Sequence, residues 1–401
     1  MSLNAKLLLP LFALLLLAIA PARADVANAP GANLEVSLVT YSPGATYWER
    51  FGHDALQLRD IASGESINFN YGVFDFNEAN FFLNFARGHM HYLMDAEPSA
   101  PEEAFYVQEG RSIARQRLDL TPEQAAALRD FLFWNLRPEN AGYDYDYYVD
   151  NCTTRVRDAL DKALGGAIHA ALANRPGGMT YRQQTDRLMS AQPWLMLVLD
   201  LGLGPYADQP LDAWHESFLP AELQASLRGI RVDDGRGGTR PLVLDERELS
   251  PSRLDAPPTR APDLRLPLAI AGLLLATVLL AAGRRLRVGF ALLGSLYLVA
   301  AGLVGLLLLA LWTLTTHHSA WANANLLLFN PLAFALLPAL WRRRARPGRV
   351  ADTLLALQLL ALLAAVLLHL LPGTVQQNQP WILFAMPVWL ALAWTLRQPV
   401  T

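Results

Sequence analysis

The sequence predicts an α+β domain outside the cytoplasm followed by an all-α transmembrane domain of about five helices. Three observations predict it. A short apolar run follows Lys6 and ends at Ala22-Arg23-Ala24, as an export signal does. Short alternating runs separated by turn residues then fill residues 34–120, before helical periodicity begins. Beyond Leu264 the chain turns into long apolar stretches punctuated by arginine clusters.

The run from Leu7 to Ala20 is short for a membrane span, and cleavage after Ala24 leaves Asp25 as the new N-terminus. Residues 1–24 are read as the signal, 25–232 as the exported domain, 233–263 as a linker and 264–401 as the membrane domain. The net charge of −3 hides an asymmetry. From Leu264 onward there are ten arginines and one acid, Asp352. With those, Lys6 and Arg23 set aside, 35 acids stand against 21 bases. An acidic domain of this kind makes nucleic acid a poor partner.

Within the exported domain, Leu34–Tyr41 reads as a strand, Ser42-Pro43-Gly44 as a turn and Gly52–Arg59 as a second strand. Ser66–Gly72 reads as a third, Gly88–Met94 as a fourth and Ser112–Leu120 as a fifth, with an aromatic-rich helix and loop between the third and fourth. Thr121-Pro122-Glu123-Gln124 has the cap, first-turn proline and capping-box glutamine of a helix start, and that helix runs to about Leu136. The irregular stretch from Arg175 to Pro220 completes the domain, and Asp233–Arg260, rich in Gly, Pro, Arg and Asp, has a linker's composition.

Cys152 is the only cysteine in 401 residues. Asn151 before it is a good N-cap, and Val156, Ala159, Leu160, Ala163 and Leu164 recur at the spacing of one buried helix face. The thiol therefore sits in the first turn of a helix, where unpaired N–H groups and the helix dipole favour a thiolate. A free cysteine is ordinarily a small buried hydrophobe. In an exported chain, however, a thiol with no possible intrachain disulfide partner points to reactivity or to a partner elsewhere.

A thiolate nucleophile needs a base. His53 stands at the head of the second strand, with Gly52 permitting close approach. Asn68 and Asn70 on the neighbouring strand are candidates to orient it; Asn70 is taken, against the competing reading of ordinary strand hydrogen bonding. The tyrosines at 143, 145, 147 and 148 line a groove or pack before the helix, with packing favoured for most. His89 and His91 share a strand face near Asp95, but without a convincing third ligand no metal is expected.

The apolar region offers spans at Leu266–Ala282, Val288–Leu314, about Trp321–Leu340, Val350–Leu371 and Trp381–Leu396. Pro331 and Pro338 interrupt the third, which reads alternatively as re-entrant. With the N-terminal domain outside, Arg284, Arg285 and Arg287 fall in one cytoplasmic loop and Arg342, Arg343, Arg344, Arg346 and Arg349 in the next. The outward loops carry no Lys or Arg, and Trp312, Trp321, Trp341 and Trp381 mark span ends, so the C-terminus is expected in the cytoplasm. His317, His318, Asn323 and Asn325 at the outer end are candidates to bind substrate, against the reading of a polar interfacial loop.

A histidine heading an early strand and a cysteine opening a later helix resemble the permuted papain-like (NlpC-like) thiol enzymes. More closely, Tyr41-Ser42-Pro43-Gly44, the run Trp48–Leu56, the run Asn68–Phe76 and Asn151-Cys152-Thr153-Thr154-Arg155 are similar to the periplasmic domain of the Lnb lipoprotein N-acyltransferase family. The resemblance spans about Leu34 to Gly204, and the membrane region from Thr316 to Pro331 resembles that family's multi-span tail. It implies acyl transfer to a lipoprotein N-terminus by an inner-membrane enzyme, and the residues fit that chemistry with a phospholipid as acyl donor, no cofactor, and Cys152, His53 and Asn70 as the catalytic set. A cell-wall cysteine peptidase or amidase is the rival enzyme, since the same fold and dyad cut peptide bonds. A non-catalytic envelope scaffold is the rival from another class.

Overall fold

A computed structural model describes residues 25–342, 348–371 and 376–398. The export signal lies outside the described residues, as do Arg343, Arg344 and Arg346. The α+β domain is built on a seven-stranded antiparallel sheet of order β6-β4-β3-β2-β1-β5-β9. Its strands are β1 Leu34–Tyr41, β2 His53–Asp60, β3 Ser66–Val73, β4 His91–Pro98, β5 Ile113–Leu118, β6 Gly142–Asp144 and β9 Val243–Ser250. A separate hairpin pairs β7 Arg231–Asp233 with β8 Thr239–Pro241. The central position of β1 follows from its composition: it is buried along almost its whole length, and the antiparallel register sets Tyr41 opposite His53. Ala55 of β2 lies opposite Asn70 of β3. Alternation along the strands then puts His53, Ala55 and Gln57 on the face that carries Tyr41, Asn68 and Asn70.

Helices cover both faces. The main core joins Leu38, Leu56, Leu58, Phe69 and Tyr71 to helices that follow in sequence. These are α3 (Pro122–Asn135), which contributes Leu128 and Leu132, and α4 (Cys152–Ala163), which contributes Val156 and Leu160. The other face is covered by α2 (Ser99–Gln108), beneath which Val39, Tyr41, Ala55 and Ile113 form a smaller core with Tyr106. Between β3 and β4 lies α1 (Phe81–Arg87). Gly88 closes α1 at φ +85°, so β4 begins at His91 rather than at Gly88 as the sequence suggested.

The segment read as a linker is only partly one. Val243–Ser250 pairs with β5 as the outer strand of the main sheet. Its side chains are mostly exposed or half-buried, and a sheet edge facing water selects charged residues such as Asp245, Glu246, Arg247 and Glu248. That polarity concealed a strand. Residues 251–263 then run without regular structure to the membrane domain.

Five segments are long and apolar enough to cross a membrane. Four are regular helices: α7 (Arg265–Arg285) packs on α10 (Gln379–Arg397), and α8 (Arg287–Leu314) and α9 (Arg349–Leu368) complete the bundle. A Cβ on Gly272 would lie 2.3 Å from the Phe384 carbonyl oxygen, so the small residue is what lets α7 and α10 approach. The remaining segment, His318–Trp341, is a series of 3₁₀ turns ending in a short helix at Leu337–Trp341. Its broken backbone is satisfied by side chains. Gln358 donates to the Leu327 carbonyl at 3.0 Å and Trp389 to the Leu328 carbonyl at 2.9 Å, as apolar surroundings require.

The two domains are bonded together through α5 (Tyr181–Met189) and α6 (Pro193–Gly202). Arg182 forms buried ion pairs with Asp200 and Asp208, both at 2.8 Å. Asp200 also accepts from the Trp381 indole at 2.6 Å, and Asp208 from the Gln377 backbone N–H at 3.0 Å. The membrane segment therefore meets the α+β domain on a polar, hydrogen-bonded seam.

Candidate active site

Cys152 is the first residue of α4. Asn151 accepts the Thr154 N–H at 2.9 Å through its side chain, and Thr154 Oγ1 accepts the Asn151 N–H at 2.8 Å. The Asn151 amide also donates to the carbonyls of Tyr147 and Phe218, both at 3.0 Å. The helix start is thus fixed from three sides. The N–H groups of Cys152 and Thr153 lie ahead of the capped Thr154 and have no acceptor within the helix.

His53 opens β2 and its imidazole lies beside the Cys152 thiol. Its Nε2 is 2.9 Å from Asn70 Oδ1. The Asn70 amide nitrogen donates to Glu102 Oε2 at 2.8 Å, which leaves Oδ1 as the acceptor and so puts the proton on His53 Nε2. Nδ1 is then the nitrogen available to Cys152. Glu102 is held in turn by the Tyr41 hydroxyl at 2.8 Å. Tyr41 stacks on the imidazole at 6.0 Å between ring centroids, and Tyr106 stacks on Tyr41 at 3.6 Å. The ring is locked in both direction and plane.

Electrostatics favour an ion pair. Burial opposes charge on His53, but the Cys152 thiolate and its hydrogen bond, Asn70 and Glu102 outweigh burial and raise the imidazole to about 9. Burial likewise opposes the thiolate of Cys152, yet the charge and hydrogen bond of His53 hold the thiol below its ordinary value. Asp54, on the opposite face of β2 and bonded by Thr40 Oγ1 at 2.7 Å, is pushed up to about 7 by burial, so it adds little negative charge near the thiol at lower pH.

Two further features shape the site. The β3–β4 register shifts between Tyr71 and Val73, and Gly72 occupies that bulge at φ +90°. A Cβ on Gly72 would stand 3.6 Å from Cys152 Cβ and 3.8 Å from the Tyr143 hydroxyl. That hydroxyl is buried and has no hydrogen-bond partner among the described residues. A buried donor next to a thiol, with nothing to donate to, is unusual in a folded protein.

The arrangement is a thiolate, an imidazolium and an amide in line, placed on a domain bonded to a transmembrane bundle. Residues 23–187 match the Lnb N-terminal periplasmic domain, and residues 261–398 match the Lnb transmembrane domain. The chain belongs to the Lnb family. No curated protein and no solved structure matches it. The Lnb periplasmic match covers His53, Asn70, Glu102, Tyr143 and Cys152, so every residue of the constellation lies within one family domain. The histidine strand precedes the cysteine helix in the chain, the permuted order that the sequence resemblance implied. In this Lnb protein the α+β domain is periplasmic and the five apolar segments embed the chain in the membrane.

The four polar residues expected to bind substrate part company. Asn323 is buried, and its amide donates to the carbonyls of Leu201, Gly202 and Leu203 at 2.9–3.1 Å. Asn325 is fully buried; it donates to Leu201 at 3.0 Å and accepts from Asn378 at 2.9 Å. Both amides are spent on joining α6 to the membrane domain, which leaves them no free group for substrate. His318 packs edge-on against Trp321 at 4.3 Å. His317 alone approaches the site: it stacks on Tyr147 at 5.8 Å, and Tyr147 is 6.2 Å from Tyr145. His91 pairs in the β4–β6 ladder, and among the described residues no group of three or more His, Cys, Asp or Glu could hold a metal ion.

Sequence reasoning missed Glu102, Tyr41, Tyr106 and Gly72, and it left Tyr143 between groove and packing. The signal for Glu102 was slight. It is one of several acids in Ser99–Gln108, and only the fold turns it inward beneath the sheet. Gly72 carried a better sign, a glycine inside a strand pattern, which marks a bulge or a close approach.

Proposed function

We propose that this protein is a membrane-anchored thiol acyltransferase that moves a phospholipid acyl chain, through a Cys152 thioester, to the N-terminal amine of a bacterial lipoprotein. The observation that carries the reading is the Cys152–His53–Asn70 line held on a periplasmic domain that is bonded to a transmembrane bundle. The Cys152 thiolate attacks the ester carbonyl of the donor. The first-turn N–H groups and the Tyr143 hydroxyl face the place where the oxyanion develops. Collapse breaks the acyl C–O bond, and the His53 imidazolium gives its proton to the departing alkoxide, releasing a lysophospholipid. The lipoprotein amine then attacks the thioester carbonyl. His53, now neutral, accepts the amine's proton, and the C–S bond breaks to return the thiolate and leave an amide.

A thioester suits this acceptor because an amine displaces thiolate readily. Asn70 keeps the imidazole in one tautomer through both half-reactions. The bundle favours a lipid ester over a peptide bond of the wall, since a wall hydrolase has no need of five apolar segments. Localisation in the inner membrane accords with the periplasmic and transmembrane family domains. Arg284, Arg285 and Arg349 stand at helix ends remote from the α+β domain, and α10 runs from its contact at Asp200 to Arg397, which pairs with Asp352 at 2.9 Å. Such a cluster favours a cytoplasmic C-terminus.

The test is mass spectrometry of lipoprotein N-termini in a strain lacking other N-acylating enzymes. The strain receives the wild-type protein, Cys152→Ser or an empty vector. The expected result is N-acylated peptide with wild type alone. An identical N-terminal state in all three strains refutes the acyltransferase reading.

A further inference from the structure

We infer that the aromatic face around α1 is immersed in the outer leaflet and admits the acyl chain of a bilayer lipid to Cys152. The inference rests on the acyl-transfer reading above and adds the route of the chain. The helix Phe81–Arg87 contributes no buried side chain at all. Phe82 is 74 % exposed, and Leu83, Phe85, Phe76 and Trp48 are 41–52 % exposed. Trp48 and Phe76 are in edge contact at 6.3 Å, and Phe76 continues to Phe81 at 5.2 Å, so these side chains form one surface. A continuous apolar surface of this kind is costly in water.

The level of α1 is fixed by the membrane domain. Thr316 N–H donates to the Arg87 carbonyl at 2.8 Å, and His317 Nε2 lies 3.0 Å from the Phe85 carbonyl. Both residues directly follow α8, a span of 28 residues. Gly88 packs so closely there that a Cβ would lie 2.5 Å from Thr316 Oγ1. The helix is therefore fastened at the end of a membrane span, where aromatic side chains collect and short apolar helices enter the headgroup boundary.

From this face a series of rings leads inward. Phe82 meets Phe81 at 5.4 Å, Phe81 meets Phe74 at 5.9 Å, Phe74 meets Tyr92 at 5.1 Å, and Tyr92 meets Tyr145 at 4.5 Å. Tyr145 stands beside Gly72, the residue that lies against Cys152. An acyl chain is the ligand this surface suits. It is apolar along its length, it starts in the leaflet that α1 faces, and the carbonyl at its end is the group the thiolate attacks.

The test uses the full chain in phosphatidylethanolamine–phosphatidylglycerol proteoliposomes. Cys152→Ser removes the only thiol, so a nitroxide can be placed by Phe82→Cys or, as an aqueous reference, at exposed Phe105 by Phe105→Cys. The expected spectra show position 82 relaxed by oxygen and shielded from a water-soluble nickel chelate, with the opposite preference at 105. Equal nickel access at the two positions overturns the inference and marks a face for a protein partner in water, while leaving the acyl-transfer reading untouched. In the Cys152 background, Phe82→Asp with Leu83→Asp is expected to raise KM for vesicle lipid at least tenfold. Alkylation of Cys152 by iodoacetamide should stay at the wild-type rate, which certifies the fold. Unchanged lipid turnover with normal alkylation likewise overturns it. If alkylation falls, the nitroxide result decides.

Discussion

Asn70 Oδ1 lies 2.9 Å from His53 Nε2, and its own amide nitrogen is spent on Glu102. Asn70 can therefore act only as an acceptor towards the ring, and one tautomer follows. The same two contacts explain how a residue two positions from a strand bulge comes to orient the His53 ring.

Replacing Asn70 by Ala removes that acceptor while keeping the strand. The expected outcome is a fall in kcat of roughly 10²-fold, the scale of a small misplacement of a catalytic group. KM should change little. A purely structural role would instead lower thermal stability with kcat per folded molecule preserved, so kcat is to be normalised to active thiol.

The thiol and imidazole set a pH window. A His53 value raised to about 9 means that the charged ring is fully present at low pH and is lost as pH rises through about 9. A Cys152 value below the ordinary thiol range means that the thiolate is lost only as pH falls below its depressed value. The ion pair fills the interval between, so acyl transfer should decline above about pH 9. With a single cysteine in the chain, iodoacetamide reports that site alone. Its rate against pH should show a thiol below the usual value of about 8.5, returning towards it in His53→Gln. An ordinary thiol titration in both proteins contradicts the ion pair.

Tyr143→Phe deletes a buried hydroxyl that has no ground-state partner among the described residues. Nothing in the resting protein loses a hydrogen bond, so stability should hold or rise slightly. If the hydroxyl serves the oxyanion, kcat for thioester formation drops by roughly 10²-fold. Stopped-flow release of lysophospholipid measures that step. An unchanged rate removes Tyr143 from the mechanism.

Arg182 lies between Asp200 and Asp208, all three buried. Arg182→Ala leaves two carboxylates facing one another without their cation and should cost about 3–5 kcal/mol. Because Asp200 also holds Trp381, the loss should loosen the two domains as well as the local fold. Thermal unfolding in detergent and protease sensitivity between residues 182 and 208 check both effects.

Some of this was legible in the chain and some was not. The Cys152 helix was readable because its cap and its apolar spacing are both local. The membrane segments were readable because bilayer thickness sets their length and arginine marks their ends. Val243–Ser250 was unreadable as a strand because an edge strand that faces water has the composition of a loop. Asn323 and Asn325 were open to two readings because a polar residue near a membrane signals function or structure equally, and only the fold supplies their partners Leu201 and Asn378.

The sequence by itself determined that a lone thiol opens a helix in an exported domain joined to a membrane bundle. Each of those properties is written in periodicity, capping and hydropathy, which act over a few neighbouring residues. Only the tertiary structure decided which groups serve that thiol. His53, Asn70 and Glu102 come from separate elements, and the antiparallel register together with α2 brings them into one line of hydrogen bonds. Contacts across such separations depend on how sheets and helices pack, and no local pattern in the chain encodes that.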